Sequence, residues 1–308
     1  MTTLLISHDA GLNHRTPPGH PERPDRLTAI GEALADPRFA PLLRMEAPVA
    51  PLEAVTSAHT LAYAEALDRA RPREGAVAID PDTVMSPGTW EAALRGVGGA
   101  MLAVDQVMRG KVRNAFCAMR PPGHHAERDR AMGFCFFNNA AIAARHAQRV
   151  HGAARVAIMD FDVHHGNGTQ DIFWDDPSVL YASTHQMPLY PGTGAASETG
   201  AGNIVNAPLE PGDGGAEFRA AMETRVLPAI QAFRPDLVVI SAGFDAHAQD
   251  PLGGLEFTED DFAWATERLM GIAGDHAAGR VVSVLEGGYD LDGLGRSAAA
   301  HVAALMQG

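Results

Sequence analysis

Six short, almost uninterrupted apolar runs, many of their residues β-branched, constrain this chain more than any other feature. They are Leu4–Ser7, Asn114–Ala118, Val156–Asp160, Val179–Ser183, Leu237–Ser241 and Val281–Leu285. A strand with one face in water alternates apolar and polar residues, whereas a strand covered on both faces does not. Each run therefore reads as an interior strand. Between and around them lie longer segments of helical character: Arg26–Ala35, Pro87–Met108, Asn138–Val150, Gly215–Ala232, Glu259–Ala277 and Leu291–Met306. A βαβα order predicts an α/β protein with a parallel sheet and helices on both faces. Right-handed crossovers then bring all strand C-termini to one edge. No linker, repeat or low-complexity tract divides the chain, so one domain is expected over residues 1–308. The connections 120–134 and 191–202 are long for simple turns, as expected of loops that build a site.

Composition narrows the functional classes. The chain has 308 residues, of which 46% are hydrophobic, enough for a packed core. Its net charge is −14 and it shows no basic patch, which argues against nucleic acid as a partner. The same charge favours cationic partners, such as lysine-rich tails or polyamines, by long-range attraction. Two cysteines, Cys117 and Cys135, do not make a disulfide framework in a chain this long; two reduced thiols are expected. The first residues have no basic region and no apolar run of signal-peptide length. No apolar stretch approaches membrane-spanning length. The expectation is a cytoplasmic protein with no membrane partner.

Polar segments follow five of the apolar runs. They are Arg120-Pro121-Pro122-Gly123-His124-His125-Ala126, Asp160-Phe161-Asp162-Val163-His164-His165-Gly166-Asn167-Gly168, Thr184-His185, Gly243-Phe244-Asp245-Ala246-His247 and Glu286-Gly287-Gly288-Tyr289-Asp290. Ligands of open α/β sheets bind beyond the carboxyl ends of the strands. Taken singly, each segment also reads as a polar strand end or a solvated turn. Five on one edge read as a site. Asp160, Asp162 and His164 recur at every second residue, so in an extended segment they point to one side. Asp162, His164 and Asp245 would supply two carboxylates and an imidazole, a set that a catalytic zinc accepts while keeping one open position. Ferrous iron tolerates similar donors. Hydrolysis at such a site needs a base for water and an acid for the leaving group. His124 and His125 suit both jobs, with Asp160 and Asn167 as their natural partners. A carboxylate partner raises imidazole basicity more than an amide does, so the two histidines can differ in protonation. Tyr289, on a Gly-Gly turn, could place its hydroxyl on a developing oxyanion. His165 and His247 read as supporting residues and His185 as either kind. His59, His146, His151, His276 and His301 read as structural or solvated residues on helices or their edges.

The segments Arg120–Ala126, Asp160–Gly168, Ser241–Asp245 and Glu286–Tyr289, with the early Gly19-His20-Pro21-Glu22-Arg23-Pro24-Asp25-Arg26, resemble the zinc-dependent histone deacetylase family, which includes acetylpolyamine amidohydrolases. The resemblance runs in family order from about His8 to Tyr289. It implies a three-layer α/β/α arginase/deacetylase-like fold with a mostly parallel sheet of about eight strands. It also implies a hydrolase that uses zinc to remove acetyl or other short acyl groups from lysine side chains, or the same chemistry on acetylpolyamines. Asp162, His164 and Asp245 correspond to the zinc ligands, His124 and His125 to the paired histidines with His125 as the base, Asp160 to the partner of His124, and Tyr289 to the carbonyl-polarising tyrosine. Asn167 stands where the class II-like branch has Asn. Gly133 and Phe134 correspond to part of the acyl-lysine tunnel, with Tyr190 opposite, where relatives often have Phe. Asp160, Asp162, His164, Ser183 and Thr184 resemble a potassium site, and Arg26 resembles the arginine of an internal acetate channel. Leu252 stands where polyamine-selective relatives carry a Glu, which favours an acetylated lysine peptide. Glu22, in the first loop, is where an acidic residue could instead read a polyamine. That loop is short, which argues against a large dimer-forming insertion. An arginase-like activity would need a two-metal carboxylate cluster, and the chain has no Gly-Gly-Asp-His segment.

Overall fold

The computed structural model describes residues 2–307. Its main sheet has eight strands: β1 (Thr3–Ser7), β2 (Leu43–Glu46), β3 (Asn114–Cys117), β4 (Val156–Asp160), β5 (Val179–Gln186), β6 (Ile204–Leu209), β7 (Leu237–Ala242) and β8 (Val281–Leu285). They lie in the order β2-β1-β3-β8-β7-β4-β5-β6. Every neighbouring pair in this sheet is parallel.

The both-faces reading of the apolar runs is borne out. In β4, Val156 and Ile158 join one apolar core while Ala157 and Met159 join the other, and all four are fully buried. This is the two-residue period of a strand dividing its side chains between two layers. Helices Thr89–Met108 and Asn139–His151 cover the first face, with 12 and 7 of their residues buried. Helices Glu259–His276 and Leu291–Gln307 cover the second. Local chemistry sets the helix ends. Asn138 caps Asn139–His151 by accepting from the Ala141 amide at 2.9 Å, and Gly152 ends that helix at φ 71°. Thr258 and Asp261 form a capping box at the start of Glu259–His276.

Four elements differ from expectation. Two strands lack an apolar run. β2 is an edge strand with all four residues exposed, and β6 is the opposite edge, carrying Asn206 and Pro208, which only an edge tolerates easily. β5 runs through Thr184 and His185, so these residues lie within the strand, not after it. The segment expected as one helix over 215–232 has a π-helical turn at Met222–Val226 between Gly215–Ala221 and Leu227–Phe233. His59 lies at a helix edge, just before Thr60, the N-cap of helix Leu61–Arg69.

The strands bearing the five polar segments, β3, β8, β7, β4 and β5, are consecutive in the sheet. Their C-terminal ends therefore meet along one continuous stretch of its edge. Asp160 pairs in register with Ser241 on one side and Ser183 on the other, which aligns these ends within a residue.

Candidate active site

Beyond β4 and β7, Asp162, His164 and Asp245 converge. Their donor atoms lie within 4.8 Å of one another, and all three residues are buried. His164 Nδ1 is 3.1 Å from both Asp162 Oδ1 and Asp245 Oδ2. Backbone amides fix the carboxylates. Asp162 Oδ1 accepts from His164 N at 2.9 Å, Asp162 Oδ2 from Gly287 N at 2.8 Å, and Asp245 Oδ1 from Val163 N at 2.8 Å. Two glycines make this approach possible: a Cβ on Gly243 would collide with the Asp162 carboxylate, and one on Gly287 with that of Asp245. Burial and the charge of Asp162 push Asp245 up to about 7. Two buried carboxylates side by side are costly unless cationic charge offsets them. Two carboxylates and one imidazole, closely spaced and amide-fixed, are a donor set that fits a divalent cation such as zinc.

The paired histidines stand next to this group, ring centroids 4.0 Å apart, and their partners separate them. His124 Nδ1 donates to Asp160 Oδ2 at 3.0 Å, and its Nε2 lies 3.7 Å from Asp162. Burial opposes its charge, but Asp162, Asp160 and Glu286 outweigh burial and hold the imidazole well above its ordinary range. His125 Nδ1 donates to Asn167 Oδ1 at 2.8 Å, and Asn167 Nδ2 donates to Glu127 at 2.7 Å. An amide oxygen only accepts, so this bond places the ring proton on Nδ1 and leaves the Nε2 lone pair available. Burial, with the neighbouring His124 and His164, pushes His125 well below its ordinary range. The surroundings thus bias the two imidazoles in opposite directions, His124 toward the charged form and His125 toward the neutral one. Burial likewise pushes the Tyr289 hydroxyl well above its ordinary range, so it stays a donor.

Several residues to which the sequence reading gave no role hold this arrangement. Glu286 is fully buried and accepts from the amides of Gly123 at 2.6 Å and His124 at 3.0 Å, and from Ser241 Oγ at 2.8 Å. It ties the histidine loop after β3 to the end of β8. The only signal in the sequence was its place between a strand and a Gly-Gly turn. Asp250 accepts from the amides of Tyr289 at 2.6 Å and Asp290 at 3.1 Å, and so anchors the tyrosine turn. Tyr181 donates to Asp160 at 3.1 Å. A tyrosine inside a strand buried on both faces needs such a partner, which was a readable clue.

At the mouth, Phe134 lies edge-on to Tyr289, ring centroids 5.8 Å apart, and Tyr190 lies edge-on to His125 at 5.2 Å. Tyr190 is 38% exposed, and Leu252 is half-buried. Phe134 has φ 68°, a left-handed conformation that a side chain-bearing residue adopts at a cost of about 1–3 kcal/mol. Asp82 and Thr83, unmarked by any motif, stabilise it by accepting from the amides of Gly133 and Phe134, each at 3.0 Å.

Glu22 is corrected by the structure. It is completely buried and pairs with Arg120, with Arg26 at 3.0 Å and with His14 at 3.2 Å, so its charge is consumed inside the protein and does not face a substrate amine. Arg26 is equally buried. It donates to the carbonyls of Gly288 at 2.6 Å and Glu286 at 2.5 Å, and its guanidinium lies 4.9 Å from the Tyr289 ring centroid. On β5, Ser183 bonds His185 at 2.9 Å, whereas the buried Thr184 hydroxyl has no hydrogen-bond partner among the described residues.

Comparison with known proteins agrees with this geometry. The family model for the histone deacetylase domain matches residues 20–305. A Pseudomonas aeruginosa protein named histone deacetylase-like amidohydrolase is 40% identical over 303 residues, covering 93% of this chain and 80% of the relative. Histone deacetylase 10, chloroplastic, of Oryza sativa subsp. japonica is 40% identical over 301 residues, covering 91% and 68%. The crystal structure of the HDA15 HD domain superposes with a TM-score of 0.92 at 38% identity, covering 99% of this chain and 91% of that one. By sequence and by fold, the chain belongs to the histone deacetylase family.

Proposed function

We propose that this protein is a zinc-dependent amidohydrolase that removes acetyl, or another short acyl group, from lysine side chains of peptides and proteins. The observation that carries this reading is the pair of adjacent imidazoles, one bonded to the Asp160 carboxylate and one to the Asn167 amide, beside a triad suited to a divalent ion. Asp162, His164 and Asp245 would hold that ion, which when bound supplies Lewis acidity toward the acyl carbonyl and the attacking water.

The chain's own residues do the rest. His125 Nε2 takes a proton from the water as its oxygen bonds to the acyl carbon. The Tyr289 hydroxyl donates to the oxyanion as the carbonyl opens, a role that burial suits because it keeps the proton on oxygen. The carbon–nitrogen bond breaks as the nitrogen takes a proton from the histidine pair, giving a carboxylic acid and an amine. His124, biased toward its charged form by Asp162 and Asp160, steadies the negative charge that builds between these groups. The Phe134 ring walls one side of a narrow approach to Tyr289. The same proposal includes potassium at Asp160, Asp162, His164, Ser183 and Thr184, where the unpaired Thr184 hydroxyl offers a free oxygen. It also includes a cytoplasmic setting, in keeping with two buried, unbridged cysteines.

Lysine is favoured over polyamine because Leu252 is neutral and Glu22 is internally paired, so neither offers charge to a distant ammonium. The test is a comparison of kcat/KM for an acetyl-lysine peptide, acetylputrescine and acetylspermidine with zinc-reconstituted enzyme. The expected order puts the peptide first; equal or greater values for the polyamines would reject the substrate assignment. Tyr289→Phe should lower kcat on the peptide by about 10²–10³ with KM little changed. Full activity in that variant would reject the mechanism.

A further inference from the structure

At the opposite end of the sheet a second group of donors converges. Asp105 lies near the end of helix Thr89–Met108, and His146 and His151 lie in the last turns of helix Asn139–His151. These helices return the chain to the N-terminal ends of β3 and β4, so the group sits at the edge away from the catalytic residues. Both Nε2 atoms point at one oxygen: His146 Nε2 is 2.9 Å and His151 Nε2 2.7 Å from Asp105 Oδ1. The rings are 5.7 Å apart and nearly perpendicular. Among the described residues, this group and the catalytic triad alone bring three such donors within 4.8 Å of one another.

We propose that Asp105, His146 and His151 form a peripheral site for a divalent transition-metal ion of the zinc, nickel or copper type. Two imidazoles and one carboxylate suit these ions and not calcium or magnesium, which take oxygen donors. The side chains are 25%, 13% and 11% exposed, so they are preorganised but open to an ion and its waters. Around a tetrahedral ion with bonds of about 2.1 Å, donor atoms stand about 3.4 Å apart. The imidazoles therefore need to withdraw by about half an ångström, which their partial exposure permits. Arg109 lies 3.6 Å from the other Asp105 oxygen, Oδ2. It orients the carboxylate and leaves Oδ1 to the histidines. The ion would join two helices that already pack closely, and each neutral imidazole would move its proton to Nδ1.

The test is metal content per chain after equilibrium dialysis against zinc. The native chain should hold about two zinc ions, His146→Gln/His151→Gln about one, and Asp245→Asn about one. Peptide deacetylation should be unchanged in the double histidine variant. A double variant that holds as much zinc as the native chain would overturn the peripheral site. Zinc retained at full count by Asp245→Asn would instead refute the catalytic ligand set, so the two failures are distinct. A second measurement needs no variant. Copper added to native protein whose tighter site is filled with zinc should give an electron paramagnetic resonance spectrum with splitting from two imidazole nitrogens. A spectrum without nitrogen splitting would likewise reject the site.

Discussion

The floor of the site and its rim are built on different principles. On the floor, Asp160, Asp162, Asp245 and Glu286 are at most 1% exposed, and each accepts at least one hydrogen bond from a backbone amide at a strand end. On the rim, Tyr190 is 38% exposed and Leu252 half-buried. The rim also carries the Arg130–Asp80 pair at 3.2 Å, an exposed ion pair of the kind worth at most about 1 kcal/mol. The proposed chemical groups are thus held by main chain at the ends of a sheet, whereas the proposed recognition groups are side chains of loops. Reaction type should be hard to alter here and substrate range easy.

The sharpest way to break that contrast is on the floor. Asp245→Asn removes a charge from the proposed metal triad and should lower kcat/KM on an acetyl-lysine peptide by about 10⁴-fold, the equivalent of several kcal/mol. A loss under tenfold would show that the floor does not control the reaction. Asn167→Asp tests the division of labour between the histidines. In the proposed mechanism His125 is a neutral base, so activity should fall as pH drops through its pKa. Burial, His124 and His164 hold that pKa well below the ordinary value, and the acid limb of kcat/KM should therefore lie below about pH 6.5. A carboxylate at 167 favours the imidazolium and should move the limb upward by about one unit, costing up to about tenfold near pH 6. A limb that stays in place would mean that His125 is not the titrating base. The smallest effect belongs to the rim. Leu252→Glu should shift the ratio of kcat/KM toward acetylputrescine by less than about tenfold, with peptide turnover largely kept.

The floor was legible in the sequence because its residues sit in short polar segments after apolar runs, and strand order brought those segments together. Asp162, His164, Asp245, His124 and His125 come together beyond the strand ends. Support from a distance was less legible. Asp250 is fixed by amides 39 and 40 residues away, and Glu286 by amides more than 160 away, contacts that no local spacing encodes. The edge strands β2 and β6 escaped because an edge needs no continuous apolar run. Glu22 misled for the opposite reason. A carboxylate in a Pro-rich early loop reads as solvated, and only the fold shows Arg26 and Arg120 closing on it.

The two hydrogen-only gaps at Gly243 and Gly287 have a consequence for anyone reshaping this enzyme. Space beneath Asp162, His164 and Asp245 cannot be redistributed by exchanging these glycines, since any larger side chain displaces Asp162 or Asp245 themselves. Room for a bulkier acyl chain or a longer inhibitor must come from the walls and the entrance, around residues 134, 190 and 252. Libraries aimed at new substrates should therefore be concentrated there, leaving both glycines untouched.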